Sequence, residues 1–284
     1  MNQELTTPVE NTWCPGCGNF GILNAFRKAV KSLEQQGIDR QHLVLSAGIG
    51  CHGKIFDYVP VSGLYSLHGR SMATLQGIKL GNPDLKALTF AGDGDAFGEG
   101  ISHMIFAAKR NADITVIVHN NGTYALTTGQ FSPTSQQGFI GPTSPEGSIE
   151  SPLNPISLML EAGATFVARG YAGRIDHLAT LIVEAVQHEG FSYIDVLQPS
   201  VVFNNTYKEY NARVEIIEKP AERLEDAVQL AKRFDRIPIG IFYNIKKPVF
   251  HKQLYGDWNP VNNRLTHKER LQQIVSFLDN RSRE

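Results

Sequence analysis

The sequence predicts an α/β domain with a doubly wound, mainly parallel sheet, and three observations carry that prediction. Short apolar runs alternate with stretches of helical spacing, which is the pattern of crossover units. The runs are mostly apolar rather than apolar at every second residue only, as in strands covered on both faces. Three consecutive runs end in glycine-rich or carboxylate and amide chemistry, at the strand ends where such sheets gather ligands.

In chain order, Ile22, Phe26, Ala29, Val30 and Leu33 recur at helical spacing between Gly18 and Gln36, with Gly37 as a stop. Strands are then predicted at LVLSA (43–47), ALTFAG (87–92), ITVIV (114–118), TFVA (165–168), YIDVL (193–197) and over 240–244. An apolar helix is expected from about Phe97 to Lys109. The stretch 127–153, rich in Gly, Pro, Ser and Thr, is too long for an ordinary connection and reads as a functional lid or a partner-facing loop. Beyond about Asn204 the pattern weakens into the charged helical segments AERLEDAVQLAKRF and THKERLQQIVSFL. The organisation expected is therefore an α/β domain over 1–204 and a C-terminal appendage over 205–284 that packs on the core or on another chain.

A formal net charge of -1 leaves no basic footprint for a nucleic-acid partner. No apolar run approaches the roughly 20 residues that span a bilayer, and MNQELTTPVE has no signal-peptide character, so a cytoplasmic protein away from membranes is expected. Three cysteines, Cys14, Cys17 and Cys51, make an odd set that argues against a disulfide framework and for metal or redox chemistry.

The strongest signal is Gly92-Asp93-Gly94-Asp95 followed by Asn120-Asn121, each at a predicted strand end. A diphosphate cofactor needs a divalent ion, a carboxylate and an amide oxygen to hold that ion, and backbone N–H groups at a helix start for the phosphates. Either half alone would read as an ordinary tight turn. The second signal is Cys14-Pro15-Gly16-Cys17, with Cys51 in GIGC beside the presumed cofactor loop. An isolated CxxC pair fits zinc or a redox dithiol equally well. A thiol in the same cleft as a cofactor suggests instead a nearby electron acceptor.

The spacing of GDG and NN resembles the thiamine-diphosphate fingerprint. Together with WCPGCG, GIGC, LHGR (67–70) and NNGTYALTTGQFSPTS (120–135), it is similar over residues 13–205 to the beta subunit of 2-oxoacid:ferredoxin oxidoreductases, nearest the 2-oxoglutarate type. The likeness extends weakly to PIGIFY. The resemblance implies a thiamine-diphosphate-binding (diphosphate-domain) fold. Magnesium would be held by the Asp93 carboxylate, the Asn121 side chain and the Thr123 carbonyl. Ile49, Gly50, Cys51 and His52 would line the cofactor, Gly94 and Asp95 would meet the diphosphate, and Ala125 and Leu126 would lie beyond the metal loop. His68 would neighbour the diphosphate and Lys54 the substrate carboxylate, although His68 also reads as a satisfied polar core residue and Lys54 as a solvated surface charge.

The activity implied is oxidative decarboxylation of a 2-oxoacid to an acyl-coenzyme A, with electrons passing through a 4Fe–4S cluster to ferredoxin. The glutamate that activates the aminopyrimidine is expected on a partner, an alpha or fused gamma-alpha subunit. Two departures from the family pattern stand out. Ala125 replaces a glycine, and Ser200 in QPSVVFN replaces the fourth cluster cysteine, so the ligand set Cys14, Cys17 and Cys51 would be completed by Ser200, another group or solvent. The alternative readings are a non-oxidative thiamine-diphosphate decarboxylase or synthase half, and a metal-binding module with a vestigial cofactor fold.

Overall fold

The computed structural model describes residues 5–233, 235–256, 258–262 and 264–281. Helix α1 (Asn19–Gln35) leads into β1 (Leu43–Ala47), followed by β2 (Gly63–Tyr65), α2 (Ser71–Gly81) and β3 (Lys86–Gly92). Next come α3 (Ile101–Lys109), β4 (Thr115–Asn120), α4 (Pro155–Glu161), β5 (Phe166–Tyr171), α5 (Ile175–Gln187) and β6 (Ser192–Leu197). The chain ends with α6 (Tyr207–Arg213), β7 (Val214–Ile216), α7 (Leu224–Ala231), β8 (Ile237–Asn244), α8 (Phe250–Tyr255) and α9 (His267–Arg281). The strands make one eight-stranded sheet in the order β2-β1-β3-β4-β6-β5-β8-β7. Every pairing is parallel except β5 with β8.

Period-two packing explains why the strands read as largely apolar runs. Leu43 and Leu45 of β1, and Leu88 and Phe90 of β3, join a core on the face that carries α1 and α5. Val44, Ala87 and Ala91 point the other way into a core beneath α2, α3, α4 and α7. Both faces are dry, so no position along these strands needs to be polar. Helix α1 buries Ile22, Phe26, Ala29, Val30 and Leu33 and stops at Gly37, whose φ of 86° an L side chain rarely adopts. A Cβ at Gly21 would overlap the Ala172 carbonyl oxygen, so only glycine lets α1 lie this close to the sheet.

The predicted strands are all present, with β4 and β5 running a few residues further toward the ligand end. The helix expected from Phe97 begins only at Ile101, because Gly94–Glu99 forms a wide π-type turn. Residues beyond 204 contribute β7 and β8 to the sheet. Helix α9 stands off it, with Leu271, Ile274, Val275, Phe277 and Leu278 each 48–58% exposed. From β1 the chain crosses to β2 on one side, and β3 lies on the other. The carboxyl ends of β1 and β3 therefore flank a topological switch point, where ligands of open α/β sheets bind.

Candidate active site: a cofactor cavity beside a thiol cavity

At that switch point the turns after β1, β3 and β4 enclose a cavity lined by Ile49, Gly50, Cys51, His52 and His68, by Asp93, Gly94 and Asp95, and by Asn121, Thr123, Ala125 and Leu126. The predicted cofactor residues are thus brought together. A second cavity of about 190 Å³ adjoins it, lined by Cys14, Cys17, Cys51, Lys54 and Ser200. Cys51, Asn121, Ala125, Leu126 and Gln198 belong to both walls.

Asp93 is buried, and the groups that hold it are all neutral. Ser132 Oγ donates to its Oδ2 at 2.5 Å and Thr134 Oγ1 at 2.6 Å, while Asn121 N lies 3.4 Å from Oδ1. Burial pushes the Asp93 carboxyl above the usual carboxylate range, against these hydrogen bonds. A buried carboxylate without a cationic neighbour is what a divalent ion would compensate, and Oδ1 keeps lone pairs for one. Asn121 Oδ1 faces the same loop, accepting from Thr123 N at 3.0 Å. The chemistry of this donor set fits a magnesium diphosphate.

Asp95 is differently employed. Its Oδ1 accepts from Ile49 N (3.2 Å) and Gly69 N (2.8 Å) and faces His68 Nδ1 at 2.7 Å. His52 Nε2 stands 3.6 Å from its Oδ2. Burial opposes the charge, but His52, the Gly69 N–H and His68 outweigh it and hold this carboxyl below its ordinary range. A carboxylate has no proton to give a phosphate. Any contact of Asp95 with a diphosphate therefore falls to its backbone N–H, and its side chain ties the β1, β2–α2 and β3 turns together. With Nδ1 on Asp95, His68 has Nε2 left for the cavity.

Three features were not legible as site residues. His119, at the end of β4, faces Asn19 Oδ1 through Nδ1 at 2.8 Å, and its buried Nε2 has no protein partner. Burial, then nearby His52, hold this imidazole well below its ordinary range, so the ring is neutral and Nε2 is an acceptor. Gln198 is 1% exposed and lines both cavities. The stretch 127–153 is not simply a lid: Ser132, Thr134 and Ser135 are buried under the Asp93 loop, and the exposed apolar residues Ile140 and Ile149 lie further along it. A hydroxyl-rich segment downstream of NN was the only signal for this role.

The thiols sit on two loops. Trp13 Nε1 donates to Cys51 O at 2.6 Å and Gly18 N to Pro199 O at 3.0 Å, tying the CxxC turn to Cys51 and to the segment of Ser200. Burial pushes the Cys17 thiol up to about 11, with the neighbouring thiolates adding to it. Burial also raises Cys51, which the Lys54 charge opposes. Lys54 donates to Thr12 Oγ1 at 2.9 Å and lines the thiol cavity, not the cofactor cavity. Ser200 is buried on the thiol wall, paired with Asn204, whose side chain donates to Asn121 O at 2.8 Å. Among the described residues no three His, Cys, Asp or Glu side chains converge closely enough to hold one metal ion. Three thiols line one cavity, and thiolates are the donors that iron–sulfur clusters take.

Residues 48–196 match the thiamine pyrophosphate enzyme C-terminal TPP-binding domain, and residues 201–256 match the C-terminal part of the pyruvate ferredoxin oxidoreductase beta subunit. The chain is 42% identical to a 2-oxoacid:ferredoxin oxidoreductase subunit beta from Sulfolobus sp, over 96% of each chain. It is 35% identical to the 2-oxoglutarate synthase subunit KorB of Methanothermobacter marburgensis, over 87% of this chain and 88% of that one. A solved 2-oxoglutarate:ferredoxin oxidoreductase from Magnetococcus marinus, with 2-oxoglutarate, coenzyme A and succinyl-CoA bound, superposes with a TM-score of 0.86 at 34% identity, covering 95% of this chain and 94% of that one.

Proposed function

The chain belongs to the 2-oxoacid:ferredoxin oxidoreductase beta-subunit family, and from that membership we propose that it binds magnesium thiamine diphosphate and a 4Fe–4S cluster in its two adjoining cavities and acts on 2-oxoglutarate. The observation that carries this reading is the shared wall, where Cys51 borders both the Asp93 cavity and the cavity of Cys14 and Cys17. Thiamine diphosphate when bound would supply the electron sink for decarboxylation, and a cluster would supply a one-electron acceptor on the way to ferredoxin.

The chain's own residues position and insulate that chemistry. Asp93, Asn121 and the Thr123 carbonyl hold the ion. The N–H groups of Gly94 and Asp95 are the donors available to the diphosphate, with the His68 ring beside them. Ile49, Ala125 and Leu126 form apolar walls that keep water from the cofactor. Neutral His119 presents an unprotonated Nε2 that can accept a hydrogen bond inside the cavity. Coenzyme A takes the acyl group in this family.

The acids lining the cofactor cavity are Asp93 and Asp95, and no glutamate is among its described lining residues. With that lining, the reading assigns the activating glutamate to an alpha or fused gamma-alpha subunit. The purified chain alone is expected to give no 2-oxoglutarate-dependent reduction of a viologen dye, and addition of that subunit is expected to restore it. Turnover by the demonstrably partner-free chain would overturn this division of labour.

Ser200 stands on the thiol wall where the family pattern has cysteine. A hydroxyl is far less acidic than a thiol, whose free pKa is about 8.5, and so ligates iron less readily. Ser200→Cys is expected to raise iron per chain toward the full 4Fe–4S complement and to slow bleaching in air. Unchanged iron content and electron paramagnetic resonance spectrum in anaerobically prepared protein would remove position 200 from the ligand set.

A further inference from the structure

Gln198 directly follows β6 and lies between the two cavities, and the geometry fixes the orientation of its carboxamide. Its backbone N–H donates to Asn120 O at 2.9 Å, which continues the β4–β6 ladder into the metal loop. Its side-chain Nε2 donates to Pro199 O at 2.8 Å and lies 3.4 Å from Cys17 Sγ. A carbonyl accepts only from a donor, so Pro199 O selects Nε2 for this end of the amide. The second N–H is left for the sulfur. Oε1 lies at the other end, buried and without a protein partner. At 1% exposure, water does not compete for these groups.

We propose that Gln198 is a redox-tuning residue, its Nε2–H donating to the Cys17 thiolate and raising the reduction potential of the cluster that thiolate holds. Hydrogen bonds to cluster sulfurs are among the levers that set such potentials, because a donor withdraws electron density from the ligand and favours the more negative, reduced state. A buried donor exerts more of this effect than an exposed one, since the local dielectric is low. Gln198 touches the thiolate rather than the reacting carbon, so its role is positioning and electrostatic. The proposal rests on the cluster assigned above.

The test uses the full chain with its partner subunit, prepared without air, and reads the cluster's midpoint potential in a redox titration followed by electron paramagnetic resonance. Gln198→Met keeps the length of the side chain and removes the donor. Gln198→Glu keeps the shape and replaces the donor with oxygen. Both are expected to retain wild-type iron per chain and to shift the potential to more negative values, with Gln198→Glu the further shifted. An unmoved potential in iron-replete variants overturns the proposal. Loss of iron in both variants at an unchanged melting temperature also overturns it, because the side chain would then be a prop for assembly. Wild-type protein without iron would instead sink the cluster reading itself.

Discussion

Asp93→Ala is expected to weaken thiamine diphosphate binding by more than about 100-fold in calorimetry at saturating magnesium. Loss of a residue that merely orients a metal ligand costs roughly 10–100-fold, and Asp93 would be the ligand itself. The structure also says how the fold should respond. The carboxyl is buried among Ser132, Thr134 and Asn121 and raised above its ordinary range by that burial. A carboxyl whose folded pKa is raised holds its proton more tightly in the folded chain, so without metal it loses stability as pH rises through that pKa. A divalent ion removes this penalty by displacing the proton, and affinity for it should fall as pH is lowered. Asp93→Asn keeps the volume and a hydrogen-bonding oxygen but never ionises. Without metal it should therefore melt no lower than the wild type at neutral pH, while binding the cofactor as poorly as Asp93→Ala. Wild-type cofactor affinity in either variant would mean that the ion is held elsewhere.

The sheet was legible where burial on both faces leaves a largely apolar run, as in β1, β3 and β4, and in β6, whose one charge, Asp195, is paired with Arg169. It was illegible at its edges. β2 and β7 have three residues each, and β2 is exposed along its whole length, so neither needs an apolar signature. The start of α3 was misplaced because Gly98 and Gly100 sit inside an otherwise apolar stretch, and the backbone widens there into the π-type turn instead of continuing as helix. At the site, residues whose chemistry is local to a motif are the ones the two cavities bring together: Asp93 and Asn121 at strand ends, Cys14 and Cys17 in one turn. Residues recruited from a distance were not. Ser132 and Thr134 reach Asp93 from a loop whose composition suggested exposure, and His119 lay in plain view beside NN with nothing to mark its neutral, unpartnered nitrogen. Asp95 shows the converse limit. Its side chain, next to GDG, is already claimed by two neighbouring turns, those of Ile49 and Gly69.

Cys51→Ala is expected to abolish the cluster while leaving the cofactor site in place. A 4Fe–4S cluster normally takes four thiolates, and this chain brings only Cys14, Cys17 and Cys51 to the cavity, with the weaker donor Ser200 beside them. A protein with four cysteines has a corner to spare before the cluster falls apart, but here removal of one thiol leaves two. Iron per chain should drop to background, and with it the visible chromophore and all reduction of ferredoxin. The fold should hold, because the hydrogen bond from Trp13 Nε1 is accepted by the Cys51 carbonyl, which alanine retains, and the half-buried thiol packs only at the edge of the core. Cys51 borders the cofactor with one small side chain among many, so calorimetric affinity for magnesium thiamine diphosphate should stay close to the wild type. This pairing of results separates a ligand from a packing residue: Cys51→Ala with full iron and an unchanged paramagnetic spectrum would leave Cys51 as wall alone, and the third thiolate would then have to come from another chain.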